Sequence, residues 1–94
     1  MTKLVYTSAA YEDLTDILNY IARDKPAAAL GWVEKIEAEC LLIADNPSIG
    51  EPQPHLGGGV RASVTGRYVV FHREANDRVE ILRVIPGERN ITRL

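Results

Sequence analysis

The chain has 94 residues, 46% of them hydrophobic and 26% charged, with a formal net charge of −2. That size bounds it to one domain, expected over residues 1–94, and no apolar run approaches the roughly 18 residues of a membrane span. Its single cysteine, Cys40, excludes an internal disulfide and a cysteine-rich zinc site.

The N-terminal stretch MTKLVYTSAAYEDL lacks the apolar core of a secretory signal, so a cytoplasmic address is expected. Lys3 to Tyr6 reads as a short strand ending at Thr7 and Ser8, either of which can cap a helix. From Ala10, apolar residues recur at three and four: Tyr11, Leu14, Ile17, Leu18 and Ile21. Glu12, Asp13 and Asp16 lie off that stripe, so the spacing predicts an amphipathic helix with acids near its positive end. Pro26 suits the first turn of a second helix whose stripe takes in Ala29, Trp32 or Val33, Ile36, Cys40 and Ile43, before Asn46 and Pro47 stop it. A tight turn over Arg23 to Lys25 makes the two helices a hairpin. Cys40, on the apolar stripe, is expected to be buried.

Residues 46–59, NPSIGEPQPHLGGG, hold three prolines and four glycines without an apolar period, which predicts a loop. Gly57 to Gly59 make no phosphate cradle, because no Lys-Ser/Thr follows and a strand comes next. Three strands are then expected, Val60–Val64, Tyr68–Glu74 and Arg78–Ile85, turning at Thr65-Gly66 and Ala75-Asn76-Asp77. On the last strand, simple alternation puts Val79, Ile81, Arg83 and Ile85 on one side and Glu80, Leu82 and Val84 on the other. The fold class is therefore α+β, in the order β-α-α-β-β-β, with the helical hairpin on one face of a largely antiparallel sheet. The second apolar face is left for a partner, or for the 46–59 loop or the C-terminal residues to cover.

Charge is unevenly spread. Residues 1–59 carry four Lys and Arg against nine Asp and Glu; residues 60–94 carry seven arginines, no lysine and four acids. Such asymmetry points to two surfaces with different partners.

The stretches SAAYEDLTDILNYI, KPAAALGWVEKI, NPSIGEP, GVRASVTGRYVVFHR and VEILRVIPGERN, in this order and spacing, resemble the ParE branch of the RelE/ParE toxin superfamily. The resemblance implies the toxin of a bacterial type II toxin-antitoxin pair, bound in a hetero-oligomer by a ParD-like antitoxin and meeting operator DNA only through that antitoxin. It implies DNA gyrase as the target, with neither cofactor nor metal and no catalytic residue. Candidate target contacts are Arg61, Arg67, Arg83, Arg89 and Arg93, since guanidinium makes planar contacts with carboxylate and phosphate. Candidate antitoxin contacts are Tyr11, Leu14, Leu18, Trp32 and Ile36. Two alternatives stay open: a RelE-like ribosome-dependent mRNA endonuclease using Arg61, His72, Arg83 and Arg89, and an inactive toxin kept as an antitoxin-binding co-repressor. Against the nuclease stand the sequence pI near 5.6, the absence of a tyrosine after Arg89, and Pro86 and Asn90 where the family motif has ionisable groups. His55 and His72 have no partner at metal or triad spacing. Pro86 should end the last strand.

Overall fold

A computed structural model describes residues 3–89, in the order β1 (Lys3–Tyr6), α1 (Ser8–Asp24), α2 (Pro26–Asp45), β2 (Glu51–Pro52), a 3-10 turn (Pro54–Leu56), β3 (Arg61–Thr65), β4 (Tyr68–Ala75) and β5 (Arg78–Pro86). The five strands form one sheet in the order β1-β5-β4-β3-β2. β1 runs parallel to β5 and the other neighbours are antiparallel. The expected architecture is present, with one addition: within the 46–59 loop, Glu51 and Pro52 pair with Ala62 and Arg61 as a two-residue edge strand.

Thr7 ties the start of α1 to the sheet. Its hydroxyl accepts the Ala10 N–H at 3.1 Å, an N-cap bond, and donates toward the carbonyls of Ile81 and Leu82, each at 3.0 Å. α1 ends at Asp24, Lys25 alone connects the helices, and Pro26 opens α2 at a position where a missing N–H costs nothing. α2 buries Ala29, Ile36, Cys40 and Ile43 as its stripe predicts. Ile36, Cys40 and Ile43, with Ile17 of α1, pack on Tyr68 and Val70 of β4 and on Val79, Ile81 and Val84 of β5. Each fully buried isoleucine here contributes about 2 kcal/mol of apolar transfer. Cys40 is core filler, its thiol pushed up to about 11 by burial.

Simple alternation fails on β5. Phe71 lies opposite Arg83 but His72 opposite Ile81, so Leu82 is an extra residue. A bulge inverts the facing of everything beyond it. Val84 thereby joins Val79 and Ile81 under the helices, while Leu82 and Ile85 pack with Val60 and Phe71 on the opposite face.

The turns follow residue chemistry. Asn76 and Asp77 both take positive φ (49° and 63°), the conformation of a tight hairpin turn that these side chains tolerate best. At the other hairpin, Gly66 (φ 60°) lies against the Trp32 ring, where a Cβ would come within 2.5 Å of Cζ3. The 46–59 loop is held by two carbonyls: Ile49 O bonds His72 Nε2 and Gly50 O accepts from Arg61 Nη1, both at 2.9 Å. Leu56 and Val60 then cover part of the sheet face away from the helices.

Candidate functional site

The predicted arginines fall into separate environments. β1 stops at Tyr6, opposite Ile81, so the outer edge of β5 continues without a strand beside it. Asp13 of α1 fills that gap. Its Oδ2 accepts the Val84 N–H at 2.9 Å and Arg83 Nε at 2.7 Å, and its Oδ1 accepts Arg83 Nη2 at 3.0 Å. Asp13 is 9% exposed, and its hydrogen bonds raise Arg83 above the ordinary arginine value. The pair is therefore part of the fold, which removes Arg83 from the freely presented set. Asp13 was expected off the buried stripe, but the stripe is rotated by one residue: Ala10, Asp13 and Ile17 face inward while Tyr11 is 69% exposed. The spacing of Ala10, Asp13 and Ile17 was the available signal, and an acid within it reads as solvent-facing unless its partner is known.

Arg61 is half-buried and spends Nη1 on the Gly50 carbonyl. Its cross-strand neighbour His72 is fully buried. Burial, and then the nearby Arg61, lower His72 from its ordinary 6.5 against the opposing pull of the Ile49 carbonyl. Its Nδ1 has no partner among the described residues. Arg61, His72 and Arg83 thus do not converge on one solvent-facing point.

Arg67 and Arg89 both border one surface hollow. Pro86 ends β5 as expected, the Gly87 N–H donates to the Arg67 carbonyl at 2.8 Å, and the Arg89 N–H donates to the Pro86 carbonyl at 3.0 Å. Arg67 Nη2 lies 3.2 Å from Glu88 Oε1, with both side chains more than half exposed. Glu88 sits below the usual carboxylate range through its own backbone N–H and then Arg67. Arg89 is exposed and borders two hollows. One, about 330 Å³ between α1 and the end of β5, also takes in Asp16, Tyr20, Arg67 and Glu88. The other, about 520 Å³, is the uncovered part of the second sheet face, floored by Val69, Phe71 and Ile85 and bordered by Glu51 and His55. Arg93 lies outside the described residues, as does Asn90.

Of the expected antitoxin contacts, Tyr11, Leu14 and Leu18 line a shallow groove of about 160 Å³ with Val33 and Glu37 along the helical hairpin. Trp32 is half-buried elsewhere, edge-on to Tyr68 at 6.0 Å between centroids. Ile36 is a correction: it is fully buried beneath the sheet, because the stripe that carries it faces the protein's own core.

Among the described residues, no three His, Cys, Asp or Glu side chains are placed to hold a metal ion. No described helix is long and apolar enough to cross a membrane.

A family model described as "ParE toxin of type II toxin-antitoxin system, parDE" matches residues 4–91. The chain is 35% identical over 82 residues to Toxin ParE1 of Caulobacter vibrioides, covering 86% of this chain and 84% of that relative. Two solved structures share its fold. A chain of the chromosomal ParDE TA system from P. aeruginosa matches with a TM-score of 0.81 and 24% identity, over 94% of this chain and 98% of that one. A chain of the toxin-antitoxin complex RelBE2 from Mycobacterium tuberculosis matches with a TM-score of 0.60 and 22% identity, over 90% and 96% respectively.

Proposed function

The chain belongs to the ParE toxin family of type II toxin-antitoxin systems, and from that premise we propose that it acts by binding, as a poison of DNA gyrase. In this reading a ParD-like antitoxin silences it by lying along the hairpin groove of Tyr11, Leu14 and Leu18 and the uncovered sheet face. Stabilising a cleaved gyrase-DNA complex needs only higher affinity for that state than for the others. The observation that carries a binding action over a nuclease is the commitment of His72, Arg61 and Arg83. Phosphodiester cleavage needs an acid, a base and a cation at one phosphate, whereas here each of these groups is spent on a backbone carbonyl or on Asp13. Of the candidate target arginines among the described residues, Arg89 is exposed and Arg67 is held only by the exposed Glu88, so these two can present donors to a partner.

The test is a cleavage assay with purified gyrase and supercoiled plasmid, run beside a ribosome assay on a translated message. Linear plasmid that requires gyrase, together with intact message, is the expected result. Message cut at the ribosome and no linear plasmid would replace this reading with the nuclease. Neither product, alongside tight antitoxin binding, would leave a co-repressor.

A further inference from the structure

The end of the molecule where α1 gives way to α2 gathers a further set of surface residues, which shares Tyr20, Arg67 and Tyr68 with the Arg89 hollow. Tyr20, Ile21, Trp32 and Tyr68 line an open cavity of about 510 Å³, within the size range of small-molecule sites. Arg23, Lys25 and Arg67 stand around it, with Asp24 as the acid in its lining. Lys35, outside the cavity's lining, places Nζ 4.7 Å from the centroid of the Trp32 ring. Tyr20 is 64% exposed, and Arg23 and Lys25 are exposed on the turn between the helices.

Charge and shape distinguish this cavity from its neighbours. The adjoining 330 Å³ hollow sets Asp13, Asp16 and Glu88 against Arg67 and Arg89, so it does not favour an anion. The sheet-face groove is floored by aliphatic and phenyl groups, which suits an apolar peptide. Of these three cavities, lined by described residues, the one at the helix turn combines an aromatic lining with more cations than acids. A flat aromatic body bearing negative charge matches that combination, and a nucleotide is such a body.

We propose that this cavity takes an unpaired nucleotide of a single-stranded polynucleotide, with the base against Tyr20 and Trp32 and the flanking phosphates on Arg23, Lys25 and Arg67. Stacking on aromatic rings tolerates any base, and guanidinium and ammonium groups track the backbone, which is how proteins grip single strands without reading sequence. A duplex keeps its bases stacked inside and meets the cations alone. The proposal does not depend on gyrase being the target.

The experiment is fluorescence anisotropy of a short labelled oligothymidylate titrated with the full-length protein at about 50 mM salt, with no gyrase present. Saturable binding that weakens as salt rises is expected. The Arg23→Ala/Lys25→Ala variant should bind about tenfold more weakly. Tyr20→Ala should lose about fivefold or more for the single strand while leaving any duplex binding unchanged. Tyr20, Arg23 and Lys25 are all exposed, so circular dichroism should show every variant folded. Absence of saturable binding by the folded wild-type protein would overturn the proposal. So would a Tyr20→Ala variant that binds the single strand as well as wild type does, since cations alone would then account for the affinity.

Discussion

Arg83 and Arg67 each face a carboxylate, and the two pairs have different consequences. Arg83 reaches Asp13 through two hydrogen bonds in a largely desolvated gap, where the same carboxylate also satisfies the Val84 N–H. Arg67 reaches Glu88 through one bond of 3.2 Å between exposed side chains. The first pair closes a strand edge that β1 leaves uncovered; the second can dissolve whenever a partner offers a better anion. An arginine is a functional candidate here when its partner is cheap to replace.

The two ion pairs differ most in what the loss of Asp13 would cost. Asp13→Ala strands a guanidinium and a backbone N–H in a buried place, and urea unfolding should show a loss of about 3–5 kcal/mol. A loss no larger than that of an ordinary surface substitution would mean that Arg83 is as free as Arg67. Next in size is Gly66→Val, at the turn that presents Arg67. A side chain there meets the Trp32 ring and must adopt a positive φ, so a cost of about 1–3 kcal/mol is expected, along with a shift in tryptophan emission as the ring is displaced.

The Arg61–His72 clamp on the 46–59 loop gives a pH-dependent effect. Because the folded state lowers His72 below 6.5, the unfolded chain binds the extra proton first. The contribution of neutral His72 is complete above about pH 6.5 and is lost as pH falls from there toward the folded value. Unfolding midpoints measured across that window should decline with acid, and His72→Gln, which keeps a donor for the Ile49 carbonyl, should flatten the decline. The smallest effect belongs to Arg67→Ala, for which a thermal midpoint indistinguishable from wild type is expected. A clear drop would place the Arg67–Glu88 pair among the structural ones.

Local rules carried much of this fold. Thr7 as a cap, Pro26 as a helix opener, Asn76-Asp77 as a turn and Pro86 as a strand stop all act through their own backbone chemistry, so each was legible from a few residues. The stripe of α2 was legible too, because one helix face carries nearly all of its burial. What escaped depended on distant partners. Asp13 reads as a solvent acid until Arg83, seventy positions later, is placed beside it. The bulge at Leu82 has no marker in a run of good strand formers, yet it decides which β5 residues face the helices. Ile36 was misread for a related reason, since a helix stripe looks the same whether it meets the protein's own sheet or another chain. In the candidate site, Arg67 and Arg89 were visible as arginines, but their separation from Arg61 and Arg83 follows from strand order and loop closure.

The most direct measurement of a binding action at the exposed end of β5 is gyrase-dependent plasmid cleavage by Arg89→Ala beside the wild-type protein, with the unfolding midpoint of each recorded in the same buffer. Unchanged midpoints and a loss of linear plasmid in the variant are expected. Full cleavage by folded Arg89→Ala would contradict this and would move the acting surface away from the end of β5.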